Sequence, residues 1–164
     1  MAKKIEDKYK ELSEVEHILL RPGMWVGSTK TEERDMFLYN TETERMESTT
    51  VEYVPAMLKV VDEVISNSCD EFRRKDNMGL TELVVNISQS TGQIIIKDNG
   101  GIPVVKHKDA GVYLPEFIFG RLRTSSNYND DEDRNVVGTN GVGSSLTNCF
   151  SKYFCVETQD CKNK

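Results

Sequence analysis

Residues 63–70 read Glu-Val-Ile-Ser-Asn-Ser-Cys-Asp, and their spacing decides how the rest of the chain is read. Glu63, Asn67 and Asp70 stand at i, i+4 and i+7, so a helix carries all three on one face. The surrounding residues are helical by period. From Ala56 to about Lys75, the side chains of Met57, Val60, Val61, Val64, Ile65, Ser68 and Phe72 share one side, with the polar three nearly opposite. Pro55 suits the first turn of such a helix. A carboxylate one turn from a carboxamide fits a metal–nucleotide site: the carboxylate can take a proton from water, and the amide oxygen can hold a hard cation without adding charge. In isolation, however, such a stripe is roughly twice as often a face turned to water.

The chain has 164 residues, enough for one domain around a single core and too few for two. At 37% hydrophobic and 29% charged it has the composition of a globular protein rather than a disordered one. No apolar run approaches the length of a membrane span and no signal peptide opens the sequence, so no membrane partner is expected. The formal net charge of −6 argues against strong non-specific binding of nucleic acid by this segment, because phosphate contacts rest on clustered Lys and Arg. DNA binding through a partner domain stays open. Cys69, Cys149, Cys155 and Cys161 form no Cys-x-x-Cys pair, and reduced, buried thiols of a cytosolic protein are expected, with neither a zinc site nor a disulfide framework.

Residues 1–12 are charged and weakly patterned, an arm ahead of a domain over 13–164. Ser13 opens a short helical pattern through Leu20, with Glu16 at capping-box spacing, and Arg21-Pro22-Gly23 ends it. Residues 28–50 are polar, with a short strand expected around Met36–Tyr39. Leu83–Ser88 and Gln93–Lys97 read as a hairpin joined through a Ser-Thr-Gly turn, and the unbroken run Ile94-Ile95-Ile96 suggests a central strand. A helix is expected over Leu114–Arg123, entered at Pro115, followed by a polar, acidic loop over Thr124–Arg134. A glycine-rich stretch, Gly138–Gly143, leads into a helix over Ser144–Phe150, and Tyr153–Thr158 reads as a strand. This order predicts an α+β sandwich of the broad α/β class rather than a doubly wound βαβ series.

Three further segments carry polar chemistry, each with an ordinary alternative. Asp98-Asn99-Gly100-Gly101 ends a buried strand. A carboxylate there can accept from an exocyclic amine while the glycines let backbone approach a flat ring, yet Asp-Asn-Gly is also plain turn chemistry. Gly138-Thr139-Asn140-Gly141-Val142-Gly143-Ser144-Ser145 precedes a helix, so its N–H groups and the helix dipole suit a phosphate. No Gly-Lys-Ser/Thr follows, so it is not a P-loop, and a flexible glycine hinge is the alternative. Thr124-Ser125-Ser126-Asn127 could serve a ribose or phosphate and is otherwise a polar loop.

Taken in order, the helix acid–amide, the strand-end Asp-x-Gly and the glycine loop entering a helix form the series that defines the GHKL ATPases, and the chain resembles that superfamily. The resemblance narrows to the type IIA DNA topoisomerases. Glu16-His17-Ile18-Leu19-Leu20-Arg21-Pro22-Gly23-Met24-Trp25-Val26-Gly27-Ser28 is similar to that family's opening. Gly101-Ile102-Pro103-Val104-Val105-Lys106-His107-Lys108, Phe117-Ile118-Phe119-Gly120, Thr124-Ser125-Ser126-Asn127-Tyr128 and Asn140-Gly141-Val142-Gly143 match it too, most closely in its eukaryotic and viral or phage branch. The match runs from about Tyr9 to Thr158. The Leu-Leu-Arg-Pro-Gly-Met and Thr-Ser-Ser-Asn stretches argue against the chaperone and mismatch-repair members of the superfamily.

The resemblance implies a mixed, mostly antiparallel sheet with helices on one face, and ATP and Mg²⁺ as ligands. Glu63 would activate the water that attacks the γ-phosphate, Asn67 would hold Mg²⁺, and Asp70 would support the base of the pocket. Asp98 would accept from the adenine amino group. Ser125, Ser126 and Asn127 would contact ribose and phosphate, and Thr139, Asn140, Gly141, Val142, Gly143, Ser144 and Ser145 would wrap the β- and γ-phosphates. Tyr9 falls where the family's arm reaches the nucleotide site of the other subunit. The implied assembly is a homodimer that closes on ATP and works with a DNA-cleaving domain or subunit to pass one duplex through another. Double-stranded DNA would be met through the full enzyme. The implied location is cytoplasmic, in the host if the source is a phage, or nuclear if it is eukaryotic.

The sequence departs from the family pattern in three places. The strand-end motif is one residue short of Asp-x-Gly-x-Gly, since Gly100 and Gly101 are adjacent. Thr139 and Ser145 stand where the eukaryotic-type glycine loop carries basic residues. The family's later strands and the domain supplying a lysine to the γ-phosphate are expected to lie outside the chain. A nucleotide-binding or dimerisation fragment without hydrolysis of its own is therefore the alternative function.

Overall fold

The computed structural model describes residues 9–73, 79–124 and 141–160. The chain divides into two compact units, Met1–Met57 and Leu58–Lys164. Both are built from helices and antiparallel strand pairs, the α+β class expected from the order of elements.

In the first unit, helix α1 (Glu14–Leu20) starts at Ser13 with the reciprocal cap that the Ser-x-x-Glu spacing predicts. The Glu16 N–H donates to Ser13 Oγ at 3.3 Å and the Ser13 N–H donates to Glu16 Oε2 at 2.8 Å. The serine hydroxyl and backbone together hold the Glu16 carboxyl below the usual carboxylate range. A 3-10 turn over Pro22–Met24 ends the helix, as the Arg-Pro-Gly stretch predicts. Ile18, Val26 and Ala56 are the buried apolar side chains among the described residues here, and the Trp25 indole N–H donates to His17 Nδ1 at 3.3 Å. The Ala56 N–H donates to Ser28 O at 2.9 Å.

Residues 28–50, expected to hold one short strand, instead contribute most of a hairpin: β1 (Glu32–Asn40) pairs antiparallel with β2 (Arg45–Tyr53). The turn is set by Asn40, whose Oδ1 accepts from the N–H groups of Glu42 and Thr43 at 2.8 and 3.3 Å, and by Glu44 at φ +52. Cross-strand register explains why alternation gave no signal. Glu33, Asp35, Phe37 and Tyr39 share an exposed face with Met46, Ser48, Thr50 and Glu52, so polar and apolar residues mix on one side. The ribbon gains side-chain ties instead, such as Thr50 Oγ1 to Asp35 Oδ1 at 2.6 Å.

In the second unit, helix α2 (Pro55–Arg73) carries the polar stripe, and β3 (Leu83–Ser88) pairs with β4 (Gln93–Asp98) across a turn with Gly92 at φ +68. Among the described residues this pair forms a two-stranded sheet, so the three isoleucines do not make a central strand. They alternate: Ile94 and Ile96 are half-buried and Ile95 is exposed. Asp98 follows on the side of Ile94 and Ile96, and that places its carboxylate toward the interior. Helix α3 (Leu114–Gly120) is shorter than expected, because Arg121 turns to extended backbone and Arg123 takes φ +60. Helix α4 (Gly143–Phe150) follows, with Leu146 buried.

The strand expected over Tyr153–Thr158 does not form. The backbone beside it contains Pro103, which has no N–H to give a ladder. Side chains replace the ladder bonds: the Ile102 N–H donates to Thr158 Oγ1 at 3.0 Å and the Val104 N–H donates to Asp160 Oδ2 at 2.8 Å. Gly101, at φ +143, lies so close that a Cβ there would meet Gln159 O at 2.6 Å. The cysteines among the described residues also depart from expectation, since Cys69 and Cys155 are exposed and Cys149 is partly covered, while Cys161 lies outside the described residues. No helix among the described residues is long and apolar enough to cross a membrane.

Candidate active site

The stripe on α2 is only partly a solvated face. Asp70 is 4% exposed and Glu63 is half-buried, whereas Met57 and Phe72, expected on the packed side, are exposed. Asn67 is exposed, one turn beyond Glu63. The helix is therefore covered partly along its polar edge, by the two motifs that follow it in sequence.

The first contact is with the glycine loop. A Cβ built at Gly143 would lie 1.8 Å from Glu63 Oε2 and 2.7 Å from Glu63 Cδ. Gly143 is the first residue of α4, so the carboxylate rests directly against the start of that helix. Thr147 fixes the approach: its hydroxyl donates to Val60 O on α2 at 2.7 Å and also lies 3.2 Å from Gly143 O. The cap residue of α4 is Val142, which makes no side-chain cap bond. The other oxygen of Glu63, Oε1, is ion-paired with Lys59 one turn earlier.

The second contact is with the strand end. Ser68 Oγ donates to Asp98 Oδ2 at 2.7 Å, and the Gly100 N–H donates to Asp98 Oδ1 at 3.1 Å. Each carboxylate oxygen holds two lone pairs, so Asp98 keeps acceptor capacity after these bonds. Asn99 braces the turn from behind, with its Oδ1 accepting from the N–H groups of Thr81 and Glu82 at 2.8 and 2.9 Å. A Cβ at Gly100 would meet the Leu80 side chain at 3.1 Å, so the shortened Asp-Asn-Gly-Gly turn packs tightly.

Helix α3 supports α4 through its own carboxyl end. Ser145 is 3% exposed, and its hydroxyl donates to Arg121 O at 2.6 Å. Thr124 Oγ1 donates to Ile118 O and Arg121 O, both at 3.2 Å, and Asn148 Nδ2 donates to Phe119 O at 3.1 Å. These side chains take carbonyls that a helix end leaves without partners. The Thr124 N–H donates to Gly141 O at 2.9 Å.

Glu63, Asp98 and Gly143 are thus gathered around α2, with Asn67 and Asp70 on the same helix and Gly141, Val142 and Ser144 beside Gly143. Ser145 is present too, with its hydroxyl on α3. Ser125, Ser126, Asn127, Thr139 and Asn140 lie outside the described residues. Tyr9 is 83% exposed. Three contributors escaped sequence reasoning. By sequence Ser68 falls within the apolar period, Thr147 is one polar residue in a short helix, and Lys59 is one charge among many. The only available signal was a small hydroxyl, Ser68, inside an otherwise apolar helical period.

No family model matches the chain. It is 42% identical over 161 residues to DNA topoisomerase 2 of Penicillium chrysogenum, covering 98% of this chain and 10% of that protein. It is 44% identical over 156 residues to DNA topoisomerase 2 top-2 of Caenorhabditis elegans, covering 94% of this chain and 10% of that protein. The structure of the ATPase and transducer domains of DNA topoisomerase II from Balamuthia mandrillaris superposes with a TM-score of 0.84 at 41% identity. That superposition covers 92% of this chain and 38% of the other. The chain therefore spans about a tenth of the length of the curated relatives it matches.

Proposed function

This chain belongs to the type II DNA topoisomerases through their ATPase region, and from that premise we propose that it binds ATP and supplies the general base for its hydrolysis. The observation that carries the reading is the seat of Glu63: a half-buried carboxylate lying against the first residue of a helix that a glycine loop enters. Phosphate is suited to the loop side, where N–H groups and the helix dipole favour an anion. A carboxylate at the edge of that site is placed to take a proton from an attacking water.

Asp98 is the adenine acceptor in this reading. Ser68 and the Gly100 N–H fix its orientation, and the remaining lone pairs accept from an exocyclic amine. Asp70 supports the helix from its buried side. Asn67, with an exposed carboxamide one turn from the base, would hold Mg²⁺. A neutral oxygen donor beside a triphosphate fits a cation that takes most of its ligands from phosphate and water. When bound, Mg²⁺ neutralises charge on the phosphate oxygens. Ser125, Ser126, Asn127, Thr139, Asn140, Gly141, Val142, Ser144 and Ser145 complete the ribose and phosphate contacts. Tyr9 reaches the site of a second copy.

At the level of the assembly, the same reading makes the chain part of a dimeric gate. ATP closure and hydrolysis-driven release are coupled through γ-phosphate contacts made only in the closed state. DNA cleavage and duplex passage belong to other parts of the enzyme, and the eukaryotic relatives favour a nuclear location. The nucleotide reading is tested by equilibrium binding of a non-hydrolysable ATP analogue with and without Mg²⁺. Asp98→Asn should weaken analogue binding, and Asn67→Asp should weaken it in the presence of Mg²⁺. Affinity unchanged by Asp98→Asn would overturn the adenine assignment.

A further inference from the structure

We propose that the loop over residues 105–114 and the carboxyl end of α3 form a contact site for the phosphate backbone of duplex DNA, with Lys106, Lys108 and Arg121 as its cations. The inference rests on membership of the DNA topoisomerase family. It goes beyond the nucleotide reading, which uses none of these side chains.

Residues 105–123 carry Lys106, Lys108, Arg121 and Arg123 against Asp109 and Glu116, a positive surplus within a chain whose net charge is −6. All four cations are exposed. The loop that presents the lysines is closed on itself. The His107 N–H donates to Val112 O and the Leu114 N–H to Val105 O, both at 2.8 Å, and Lys106 bridges antiparallel to Tyr113. Inside the turn, His107 Nδ1 accepts from the N–H groups of Asp109 and Ala110 at 3.3 and 3.2 Å. Aromatic rings then hold the cations. The Lys106 ammonium lies 5.7 Å from the centre of the Tyr113 ring, and the Arg121 guanidinium lies 5.5 Å from that of Phe117. Phe117 also stacks on His107, with ring centres 4.1 Å apart. One ring of α3 therefore joins the lysine loop to the arginine at the helix end.

A lone exposed lysine is ordinarily a solvated charge, and ordering it against a ligand costs rotamer freedom. Here the rings restrain Lys106 and Arg121 beforehand, while cation–π contact leaves each charge unneutralised. An ion pair with a carboxylate would have cancelled it. Cations carried by two successive elements present charge along a surface, which suits a linear polyanion. Contacts to its phosphates need no base-edge geometry, and each cation that meets a phosphate releases a condensed counterion. Asp109 and Glu116 keep the surplus small. The site therefore adds to DNA contacts made by other parts of the enzyme rather than holding a duplex by itself, in keeping with the acidic chain around it.

The test uses the full-length protein in two measurements. In the first, lysines of the parent are acetylated with an N-hydroxysuccinimide ester, with and without long linear duplex DNA, and read by mass spectrometry. DNA should slow acetylation of Lys106 and Lys108 by at least about threefold at low salt, and the protection should disappear as salt is raised. In the second, duplex binding is followed against potassium chloride concentration. The combined variant Lys106→Gln, Lys108→Gln and Arg121→Gln should lower the slope of log affinity against log salt by about 2–3, the amount expected for as many lost phosphate contacts. Its ATP turnover without DNA should stay within about twofold of the parent. Unprotected lysines, or a slope equal to the parental one, would overturn the inference. Protection of Lys106 and Lys108 by ATP in the absence of DNA would also overturn it, by assigning the patch to the nucleotide. If the combined variant failed to fold, the acetylation of the parent would still decide. None of these outcomes bears on Glu63 as the base, which its own variants test.

Discussion

Gly143→Ala tests the contact between the acid and the glycine loop, because its effect should change sign with the residue at position 63. The added Cβ would lie 1.8 Å from Glu63 Oε2, 2.7 Å from Cδ and 3.2 Å from Cβ. The first two separations are impossible, so either the glutamate leaves its position or the first turn of α4 moves. Overpacking of this kind costs about 1–3 kcal/mol. Against it stands the gain from replacing glycine by alanine in a helix, up to about 1 kcal/mol. In the parent, the net should be a destabilisation of about 0–3 kcal/mol. Glu63→Ala deletes the two nearest atoms and leaves only the 3.2 Å contact with Cβ. In that background Gly143→Ala should be neutral or stabilising by up to about 1 kcal/mol. Urea unfolding of the four proteins of this cycle, followed by helical circular dichroism, measures the coupling. In the full-length protein, Gly143→Ala alone should also reduce ATP turnover on the order of a hundredfold, the scale expected when a catalytic group is displaced by about an ångström. An equal penalty for Gly143→Ala in both backgrounds would refute the contact and the placement of Glu63 built on it.

Other consequences follow from contacts farther from the base. Ser68→Ala removes the hydroxyl that orients Asp98 and should weaken binding of an ATP analogue several-fold while leaving far-UV circular dichroism unchanged; full affinity would dissociate Ser68 from the adenine side. Ser145→Ala takes a buried donor from Arg121 O and should cost about 1–3 kcal/mol in urea unfolding, toward the lower end because Thr124 also donates to that carbonyl. Iodoacetamide at neutral pH should label Cys69 and Cys155 before Cys149, since burial covers Cys149 and pushes its thiol up; mass spectrometry of the early adducts reads the order. The Glu16 carboxyl lies below its ordinary range because Ser13 bonds its charged form, so its contribution to α1 is present above the unfolded-state range. That contribution should fade as pH falls through the folded value, and amide exchange of α1 measured from pH 6 to 3 should follow that course, while Ser13→Ala should remove it.

Local chemistry made much of this legible in the sequence. Ser13 and Glu16 cap a helix because their spacing leaves few other uses for the first N–H groups, and the Arg-Pro-Gly stretch stops it. The β3–β4 hairpin followed from apolar runs flanking a glycine turn, and the helix periods of α2 and α4 were strong enough to survive tertiary packing. Illegible features depended on what lies across from a residue. The β1–β2 ribbon has an exposed face on which glutamates, threonines and aromatics mix, so no alternation marks it. The segment over Tyr153–Thr158 has strand composition, but its neighbour contains Pro103 and pairs through Thr158 and Asp160 side chains instead. For the site, spacing placed Glu63, Asn67 and Asp70 on one helix face, and the later motifs, through Gly143 and Asp98, are what partly cover that face. The sequence was silent on Ser68, Thr147 and Lys59, whose importance comes from carbonyls and carboxylates far along the chain or one turn away on the same face.

The central claim is that Glu63 is the base that activates water at a bound nucleotide. Parallel measurement of ATP turnover and analogue binding in the full-length protein carrying Glu63→Gln tests it most directly. The amide keeps the size and the contact with Gly143 but cannot accept the proton, so analogue binding should stay near the parental value while turnover falls by at least about a hundredfold. Parental turnover in Glu63→Gln would contradict the account.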